Sequence, residues 1–517
     1  MLNFFNKRFF IIFFFPLVLG GVTVLSFQPF NFFFVNFLSL PLLFFSIIYV
    51  KKKSKSVYRK KPYLTNLFIL GTSYGFGFFF FGIYWIAHSL TFDESFKFLI
   101  PISLVLIPIF LSLFFSLPIV LVSNFCEEKI SSIFLISLSF AISDFLRSKI
   151  LTGFPWNIWS YSISWSTESL QALSTIGIFS LNILIITIFF LPSLFFFKSK
   201  TKYFFLSFFL IVVFGNYFYG SYKINSIVRD IDSKKINFKI VSAGMKLSEF
   251  KDEKKVALEL IKYSEPDKKK KTIFVWPEGV FLSENFNQKK EIKDLFVKSF
   301  SKNHLIVLGA NTSESTTLNK KYFNSMVIVD SNFNLISKYN KKKLVPFGEF
   351  LPFEKLLNSI GLKKITPGYS SFTKGSGESI VNLKFDSQNI NFLTLICYEI
   401  IFPSFINKNN NFNFIINISE DAWFGDSIGP HQHFAKAIFR SIESGVYTIR
   451  SANKGISAFI SPEGKILKNL QPNEIGNIEL SVPILEKSKK QSKKDLIFLL
   501  LLITYIFTFF VLRKLKI

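Results

Sequence analysis

The stretch LTLICYEIIF, residues 393–402, places Cys397 near the end of an apolar run with the composition of a buried strand. A free cysteine in such a run is often a small buried hydrophobic residue. A thiol at a strand end is instead a candidate nucleophile if a base removes its proton and a cation or N–H groups hold the oxyanion. This stretch alone leaves both interpretations open.

Two earlier segments contain the other groups that this chemistry needs. In TIFVWPEGVF, Glu278 follows an apolar run, and in SKYNKKKLVPFGEFLPF three lysines, Lys341, Lys342 and Lys343, precede a Leu-Val-Pro turn. Taken singly, Glu278 is typical of a solvated turn and the lysines of a solvated charged segment. Taken together, the segments put a carboxylate, an ammonium and a thiol at the ends of predicted strands.

The composition indicates a membrane protein. The 517 residues are 50% hydrophobic and include 71 phenylalanines, and the mean hydropathy is +0.37. A soluble globular chain rarely has these values. The net charge of +27 is compatible with nucleic-acid binding. Many of the basic residues lie in short loops between apolar runs, however, so we expect a lipid bilayer and no nucleic acid as partner.

Eight apolar runs are long enough to cross a bilayer. They lie at 9–27, 30–50, 64–89, 97–122, 130–147, 172–197, 203–221 and 495–512. The sequence therefore predicts a membrane domain of seven spans over residues 1–221, a globular domain over 222–494, and a closing span with a basic tail over 495–517.

The basic loops predict the orientation of these spans. The segments KKKSKSVYRKK at 51–61, KSKTK at 198–202 and RKLKI at 513–517 fall on one side of the membrane if all eight spans are real. Lysine and arginine accumulate on the cytoplasmic side. The domain over 222–494 should then lie outside the cytoplasm.

The globular domain alternates β-like runs with polar and helical stretches, which predicts an α/β or layered α-β fold. The predicted strands are NFKIVSA, TIFVWPEG, HLIVLGAN, SMVIVD, LTLICYE, FNFIINIS and SAFISPEGKIL, and the predicted helices are 251–264 and 432–445. Cys126 falls on the cytoplasmic side, so it cannot pair with Cys397. An unpaired thiol in an oxidising compartment favours a reactive role.

The four histidines form no motif for binding a metal. His88, His304, His431 and His433 show no HExxH pattern, and only His431 and His433 are close in sequence. Two histidines at this spacing are a weak signal for a metal site. We expect no metal, and a structural or loop role for this pair.

Several motifs together resemble the membrane-bound apolipoprotein N-acyltransferases of the nitrilase superfamily. They are LVPFGEFLPF, CYEIIFP, DAWFGDSIGPHQH and RSANKGIS in the globular domain, and GFGFFFFGIYWI at 75–86 and TGFPWN at 152–157 among the spans. The resemblance implies a four-layer αββα sandwich outside the membrane, joined to about eight transmembrane helices. The chain departs from the family's frequent residues at Glu420, where Asn is common, and at Lys343, where His is common.

The resemblance also implies roles for individual residues. Glu278 would be the general base, Lys341 the cation beside the tetrahedral intermediate and Cys397 the nucleophile. Supporting roles would fall to a second carboxylate and to the two residues after the nucleophile, namely Glu349, Tyr398 and Glu399. The substrate-binding candidates are aromatic: Phe347, Phe350, Phe353 and Trp423.

The segment PFGEFLPFEKLLNSIGL, 346–362, has apolar residues at near-helical spacing. They are Phe347, Phe350, Leu351, Phe353, Leu356, Leu357 and Ile360. This pattern predicts either an ordinary core-facing helix or a lid that lies in the membrane interface and admits acyl chains.

The reaction implied by the resemblance is a two-step acyl transfer. The acyl donor is a phospholipid, the intermediate is a thioester on Cys397, and the acceptor is the α-amine of the S-diacylglyceryl cysteine that begins an apolipoprotein. No cofactor is implied. The expected location is the bacterial inner membrane, with the catalytic domain on the periplasmic face.

Two other functions remain open. A membrane-tethered amidase of the nitrilase type would use the same triad and pass its acyl group to water. A transporter or scaffold with an external binding domain is a non-enzymatic alternative. The spans show no obvious charges that line a path, which weakens the transporter hypothesis.

Overall fold

The computed structural model describes residues 8–55, 58, 60–226, 234–283, 290–315, 320–354, 359, 371–408, 411–485 and 493–517. The chain divides into two compact units. Residues 1–226 and 493–517 are called the membrane unit and residues 227–492 the catalytic unit, after the roles that the resemblance implies.

The membrane unit is helical. Its helices are α1 (Phe15–Thr23), α2 (Asn36–Lys53), α3 (Tyr63–Ile83), α4 (Ile100–Val122), α5 (Ile130–Arg147), α6 (Leu173–Phe190), α7 (Lys202–Asn225) and α12 (Lys494–Lys514). Seven described segments, built on α2–α7 and α12 and on flanking 3₁₀ turns, are long and apolar enough to cross a membrane. The chain is therefore a multi-pass membrane protein.

Two details differ from the predicted spans. The first predicted span, 9–27, corresponds to a shorter apolar helical stretch, Phe10–Ser26. Helix α7 continues to Asn225, beyond the predicted domain boundary at residue 221.

Small residues allow helices α3 and α4 to approach closely. A Cβ atom on Gly71 would lie 2.6 Å from Ser116 Cα, and one on Gly75 would lie 2.7 Å from Ser112 Cα. Both pairs repeat after four residues, which is the small-xxx-small pattern of packed membrane helices. The glycines of the GFGFFFFG segment are thus partly explained by packing.

A buried ion pair lies at the end of α5. Arg147 Nη2 donates to Asp144 Oδ1 at 2.8 Å, and Asn182 Nδ2 on α6 donates to Asp144 Oδ2 at 2.9 Å. Arg147 Nη1 also donates to the Phe154 carbonyl at 2.7 Å, so the pair anchors the TGFPWN loop. Opposite charges at i and i+3 satisfy each other inside an apolar unit, so this pair does not line a path through the spans.

The two motifs of the membrane unit meet beside this loop. The rings of Trp85 and Trp156 lie 4.6 Å apart, and Trp156 also stacks on Phe154 at 5.9 Å. A Cβ atom on Gly82 would lie 2.7 Å from Asn157 Nδ2. The two motifs of the membrane unit, GFGFFFFGIYWI and TGFPWN, therefore pack into one aromatic cluster.

The catalytic unit contains two six-stranded sheets. The strands are β1 (Lys235–Ser242), β2 (Thr272–Val275), β3 (His304–Ser315), β4 (Lys320–Asp330), β5 (Leu335–Asn340), β6 (Ile380–Phe385), β7 (Gln388–Ile396), β8 (Phe414–Glu420), β9 (Tyr447–Asn453), β10 (Ser457–Ile460), β11 (Ile466–Leu470) and β12 (Gly476–Pro483). One sheet has the order β12-β1-β2-β3-β4-β5 and the other β11-β10-β9-β8-β7-β6. Strands β1–β3 and β7–β9 run parallel at the centres of the sheets.

The sheets are covered by helices to give the predicted layered sandwich. The helices are α8 (Glu253–Ser264), α9 (Lys290–Ser299), α10 (Ser404–Lys408) and α11 (Gly429–Ser444). Val256 and Leu260 of α8 pack in one core with Phe274 of β2. Between the sheets, the rings of Phe238 on β1 and Phe414 on β8 meet edge to face at 5.3 Å.

The predicted strands correspond to β1–β4, β7, β8 and the β10–β11 hairpin, and the predicted helices to α8 and α11. The elements without a prediction are α9, α10, β5, β6, β9 and β12. Strand β9 was missed because it buries polar residues, including Arg450 and Asn453, where apolar residues are expected.

We predict that Gly75→Ala destabilises the membrane unit, because its methyl group would overlap Ser112 on α4. Overpacking of this kind costs about 1–3 kcal/mol. Gly215→Ala on α7 is the matched control, since no atom lies within 4 Å of the position that its methyl group would take. Thermal unfolding of the detergent-purified chain measures both. Equal melting temperatures for the two variants would contradict the close packing of α3 on α4.

Candidate active site

Glu278 lies in a tight turn directly after β2. Trp276 N donates to the Val307 carbonyl at 2.8 Å, and Gly309 N donates to the Pro277 carbonyl at 3.0 Å. A Cβ atom on Gly309 would lie only 2.5 Å from Glu278 Cα, so β3 needs a glycine here. These contacts fix the position from which the Glu278 carboxylate leaves the sheet.

Lys341 follows β5 and is 1% exposed. Its Nζ donates to Glu349 Oε1 at 2.9 Å and to Glu278 Oε1 at 3.2 Å. The other two lysines of the run are only partly buried, and each lies over an aromatic ring: Lys342 over Tyr339 and Lys343 over Phe402. The geometry therefore selects Lys341 as the lysine that faces the carboxylates.

Asn324 on β4 joins the same cluster, and sequence reasoning missed it. Its Nδ2 donates to Glu278 Oε1 at 2.8 Å and to Glu349 Oε1 at 2.6 Å. Its backbone carbonyl accepts from Lys341 N at 2.8 Å. The available signal was an amide side chain directly before the predicted strand SMVIVD.

All four carboxylate oxygens of the cluster accept hydrogen bonds. The two Oε1 atoms each accept from Asn324 and Lys341, Glu278 Oε2 accepts from Glu420 N at 3.0 Å, and Glu349 Oε2 accepts from Val345 N at 2.8 Å. Buried carboxylates whose oxygens all accept hydrogen bonds keep fixed orientations.

Glu349 reaches the cluster from a turn, because residues 346–353 do not form the helix that their apolar spacing predicts. Glu349 N donates to the Val345 carbonyl at 2.9 Å, Phe347 N donates to the Phe350 carbonyl at 2.8 Å, and Phe347 has φ +62°. The hydrogen bonds that Glu349 makes override the helical spacing of the apolar residues. Leu356, Leu357 and Ile360 lie outside the described residues.

The aromatic candidates for substrate binding differ in exposure. Phe347 is 48% exposed and Phe353 is 77% exposed, so neither is a core residue. Phe350 is half-buried, and Trp423 is half-buried in the 3₁₀ turn Asp421–Phe424 after β8. Only Leu351 of this segment's described apolar residues is fully buried.

Cys397 lies at the end of β7 in an unusual backbone conformation. Its φ is +48°, and it begins the 3₁₀ turn Cys397–Ile401. A left-handed conformation in a residue with a side chain costs about 1–3 kcal/mol and persists only where surrounding contacts impose it. Tyr398, the next residue, is buried and packs edge to face on Phe402 at 5.0 Å.

Glu399 links the turn that begins at Cys397 to the three lysines. Its Oε2 accepts from Ile396 N at 2.9 Å, while its Oε1 accepts from Lys342 N at 2.7 Å and Lys343 N at 3.0 Å. Tyr339 Oη donates to the same oxygen at 2.9 Å. Burial raises the pKa of Glu399 although these donors oppose the shift. Glu399 is therefore a structural link between the strand end of Cys397 and that of Lys341.

The electrostatics distinguish the thiol from the ammonium. Burial raises the pKa of Cys397, the Glu278 charge raises it further, and Lys341 only partly compensates. Burial alone would lower the pKa of Lys341, but Glu278 and Glu349 outweigh it and the net shift is upward. Both shifts favour a neutral thiol and a charged ammonium at the site.

The residues after β8 form a second buried network. Burial raises the pKa of Asp421, but the Arg450 and His433 contacts outweigh it and lower the value to about 2. Burial raises the pKa of neighbouring Glu420 well above its usual range, and Asn453 Nδ2 donates to both of its oxygens at 2.9 Å. His433 is buried in α11 rather than in a loop.

A buried thiol, a carboxylate with a fixed orientation and a permanent cation can together attack a carbonyl and stabilise the resulting oxyanion. The structure brings Glu278, Lys341 and Glu349 into direct contact, and Cys397 interacts electrostatically with the first two. Among the described residues, no three metal-ligating side chains form a group that could hold an ion.

Comparisons with known proteins cover both units. The family model for the apolipoprotein N-acyltransferase N-terminal domain matches residues 19–191, and the carbon-nitrogen hydrolase model matches residues 262–484. Apolipoprotein N-acyltransferase of Rickettsia prowazekii is 31% identical over 476 residues, 90% of this chain and 91% of the relative. That of Allorhizobium ampelinum is 29% identical over 471 residues, 88% of this chain and 87% of the relative.

Solved structures match the catalytic unit in part. An amidase from Nesterenkonia sp. is 14% identical, with a TM-score of 0.32, and the match covers 50% of this chain and 93% of the amidase. The two family models and the full-length relatives together show that the chain belongs to the apolipoprotein N-acyltransferase family, with a carbon-nitrogen hydrolase domain.

Proposed function

We propose that this chain transfers a fatty acyl group from a phospholipid, through a thioester on Cys397, to the α-amine of the S-diacylglyceryl cysteine that begins an apolipoprotein. Family membership supports an acyltransferase that acts on the nitrogen of lipoproteins. The observation that supports the thioester route is the buried Lys341, held between Glu278 and Glu349 and within the electrostatic reach of Cys397.

In the first step Glu278 takes the proton of the Cys397 thiol while the sulfur attacks the ester carbonyl of the phospholipid. Glu278 Oε1 already accepts two donors, whereas Oε2 accepts one, Glu420 N, among the described residues. A carboxylate oxygen has two acceptor positions, so Oε2 is the proton acceptor with room to spare. The proton stays within the site, so the net charge of the site does not change.

Collapse of the tetrahedral intermediate completes acylation. The oxyanion forms beside Lys341, whose positive charge opposes it in a buried, low-dielectric site. The C–O bond of the ester breaks, Glu278 returns its proton to the leaving oxygen, and a lysophospholipid departs. Cys397 then carries the acyl group as a thioester.

Glu349 gives this step a stable cation. Once Glu278 is protonated, it no longer balances the charge of Lys341. Glu349 Oε1 remains 2.9 Å from Lys341 Nζ and keeps the pKa of Lys341 high, so the lysine does not give up its own proton. Asn324 holds both carboxylates throughout, since an amide donor is unaffected by proton transfer.

The second step transfers the acyl group to nitrogen. The neutral α-amine of the lipoprotein attacks the thioester carbonyl, Glu278 accepts a proton from it, and the C–S bond breaks. The sulfur leaves as a thiolate that regains a proton from Glu278, and an amide is released. Low exposure of Cys397, at 8%, limits competing attack by water.

We further propose that the protein lies in the bacterial inner membrane with its catalytic unit in the periplasm. The basic segments 51–61, 198–202 and 513–517 support this orientation through the excess of Lys and Arg in cytoplasmic loops. The exposed aromatic residues Phe347 and Phe353 are the proposed contacts for the lipid chains, together with Phe350 and Trp423.

We expect the mass of the full-length protein to increase by one acyl group when the protein in detergent is mixed with phosphatidylethanolamine that carries one known acyl chain. Peptide mapping should place the group on Cys397, and hydroxylamine should release it because a thioester is labile. Cys126→Ser is the matched control and should acylate normally, whereas Cys397→Ala should not. Acylation of Cys397→Ala would refute the thioester, and release of free fatty acid without amide product from lipopeptide would favour the amidase.

Lys341→Met should lower the rate constant of acylation by about 10²–10³-fold, the usual effect of losing an oxyanion partner. Lys342→Met is the matched control, since its side chain lies over Tyr339 and does not reach the carboxylates. Single-turnover acylation followed by mass spectrometry measures both variants. Equal losses of the acylation rate constant in the two variants would show that acylation needs positive charge in general rather than the buried Lys341.

The orientation is testable by cysteine labelling. Lys293 on α9 and Lys52 on α2 are both exposed lysines, one in each unit. In cells with a permeabilised outer membrane, a membrane-impermeant maleimide should label Lys293→Cys at once and label Lys52→Cys only after lysis. The reverse pattern would place the catalytic unit in the cytoplasm.

A further inference from the structure

His433 contacts the backbone of the nucleophile. It lies in the first turn of α11, is 0% exposed, and places Nε2 at 3.2 Å from the carbonyl oxygen of Cys397. The triad chemistry does not use this histidine. His433 therefore gives the motif DAWFGDSIGPHQH a contact with the site that the triad chemistry does not explain.

The other side of the ring is anchored to a buried ion pair. His433 Nδ1 lies 3.0 Å from Asp421 Oδ1 and 3.2 Å from Arg450 Nη2. Arg450 Nη2 donates to Asp421 Oδ2 at 2.8 Å. The ring thus links this ion pair to the Cys397 carbonyl.

The ion pair is itself immobilised. Arg450 Nε donates to the Ile456 carbonyl at 3.2 Å and Nη1 donates to Asn417 Oδ1. Ser419 Oγ donates to Asp421 Oδ1 at 2.7 Å. A Cβ atom on Gly455 would lie 2.2 Å from Asp421 Oδ2, so RSANKGIS supplies both the arginine and the space for its partner.

The protonation of the ring follows from its neighbours. A carbonyl oxygen only accepts, so the contact with Cys397 requires a proton on Nε2. Burial lowers the pKa of His433, while the Asp421 carboxylate opposes that shift. Nδ1 lies between Asp421 Oδ1, which also accepts from the Ser419 hydroxyl, and Arg450 Nη2.

We propose that His433 is a positioning residue for acyl transfer: it holds the Cys397 carbonyl and thereby the left-handed backbone that orients the thiol. On the N-terminal side of Cys397, Glu399 accepts from Ile396 N, and on the C-terminal side His433 contacts the Cys397 carbonyl. A residue at φ +48° keeps that conformation because contacts on both sides of it hold the chain. The proposal rests on the acyl-transfer function proposed above.

The test compares His433→Gln with His433→Met in the full-length Cys126→Ser protein. The two replacement side chains have similar length and shape, but only Gln provides an N–H donor for the carbonyl. His304→Met is the matched control, because His304 is equally buried and its Nε2 contacts a carbonyl, that of Asp267, at 2.9 Å.

The main readout is the single-turnover rate constant for acylation of Cys397 by phosphatidylethanolamine. It is independent of how much of the protein is folded, since unfolded molecules change only the amplitude. Misplacing a reacting group by about 1 Å costs about 10²-fold, so His433→Met should lose 10- to 100-fold and His433→Gln about threefold or less. The phospholipid concentration for half-maximal rate should not change.

The proposal would be overturned by equal rate constants in the Gln and Met variants, by a Met variant that loses amplitude alone, or by a similar loss of rate in His304→Met. Alkylation of Cys397 by iodoacetamide, located by peptide mapping, separates this proposal from the function. If the wild type forms no acyl-enzyme, the acyl-transfer function fails. The positioning role is then decided by whether alkylation slows in the Met variant relative to the Gln variant.

Discussion

The buried charge of Lys341 is the constraint on which the catalytic unit depends. Removing an ammonium from water costs several kcal/mol, and only close, hydrogen-bonded carboxylates offset that cost. Glu278 and Glu349 do so at 3.2 and 2.9 Å. Because the three residues lie on separate turns after β2 and β5, the charge is satisfied only when these chain segments converge. The arrangement proposed for catalysis is therefore also a condition for burying the lysine.

The same requirement explains residues that take no direct part in the proposed chemistry. Two carboxylates beside one ammonium leave a net negative charge, and their oxygens need further donors. Asn324 and the backbone N–H groups of Glu420 and Val345 provide them. Strand β4 and the end of β8 are thus drawn to the cluster, which brings Asp421 and its network close behind the nucleophile.

Sequence reasoning identified the groups whose chemistry is visible in one segment at a time. Glu278 and Cys397 lie at the ends of predicted strands, Lys341 lies in a run of three lysines, and the hydropathy of the spans is plain. Asn324 and His433 could not be assigned, since their roles depend on sheet register and on how α11 packs, and neither can be read from the sequence. The resemblance chose Lys341 among the three lysines, and in the structure it is Lys341 that contacts the two carboxylates.

Local periodicity failed where long-range hydrogen bonds compete with it. The segment after Lys341 has helical spacing, yet Glu349 is held by Val345 N and Lys341 in a tight turn. In α5 the predicted span 130–147 is present although it includes Asp144 and Arg147, because the two charges pair one turn apart. Both cases concern buried charges, whose partners decide the structure more than their own hydropathy does.

Buried ion pairs recur in both units, and we infer that they specify packing more than they stabilise it. Replacing such a pair by apolar residues is often neutral, whereas removing one partner costs about 3–5 kcal/mol. A chain with 71 phenylalanines has many ways to bury apolar surface. Few of those arrangements also pair Asp144 with Arg147, Asp421 with Arg450, and Lys341 with two carboxylates. The polar contacts thus exclude packings that hydrophobicity alone would allow, and they fix the backbone of Cys397 within the one that remains.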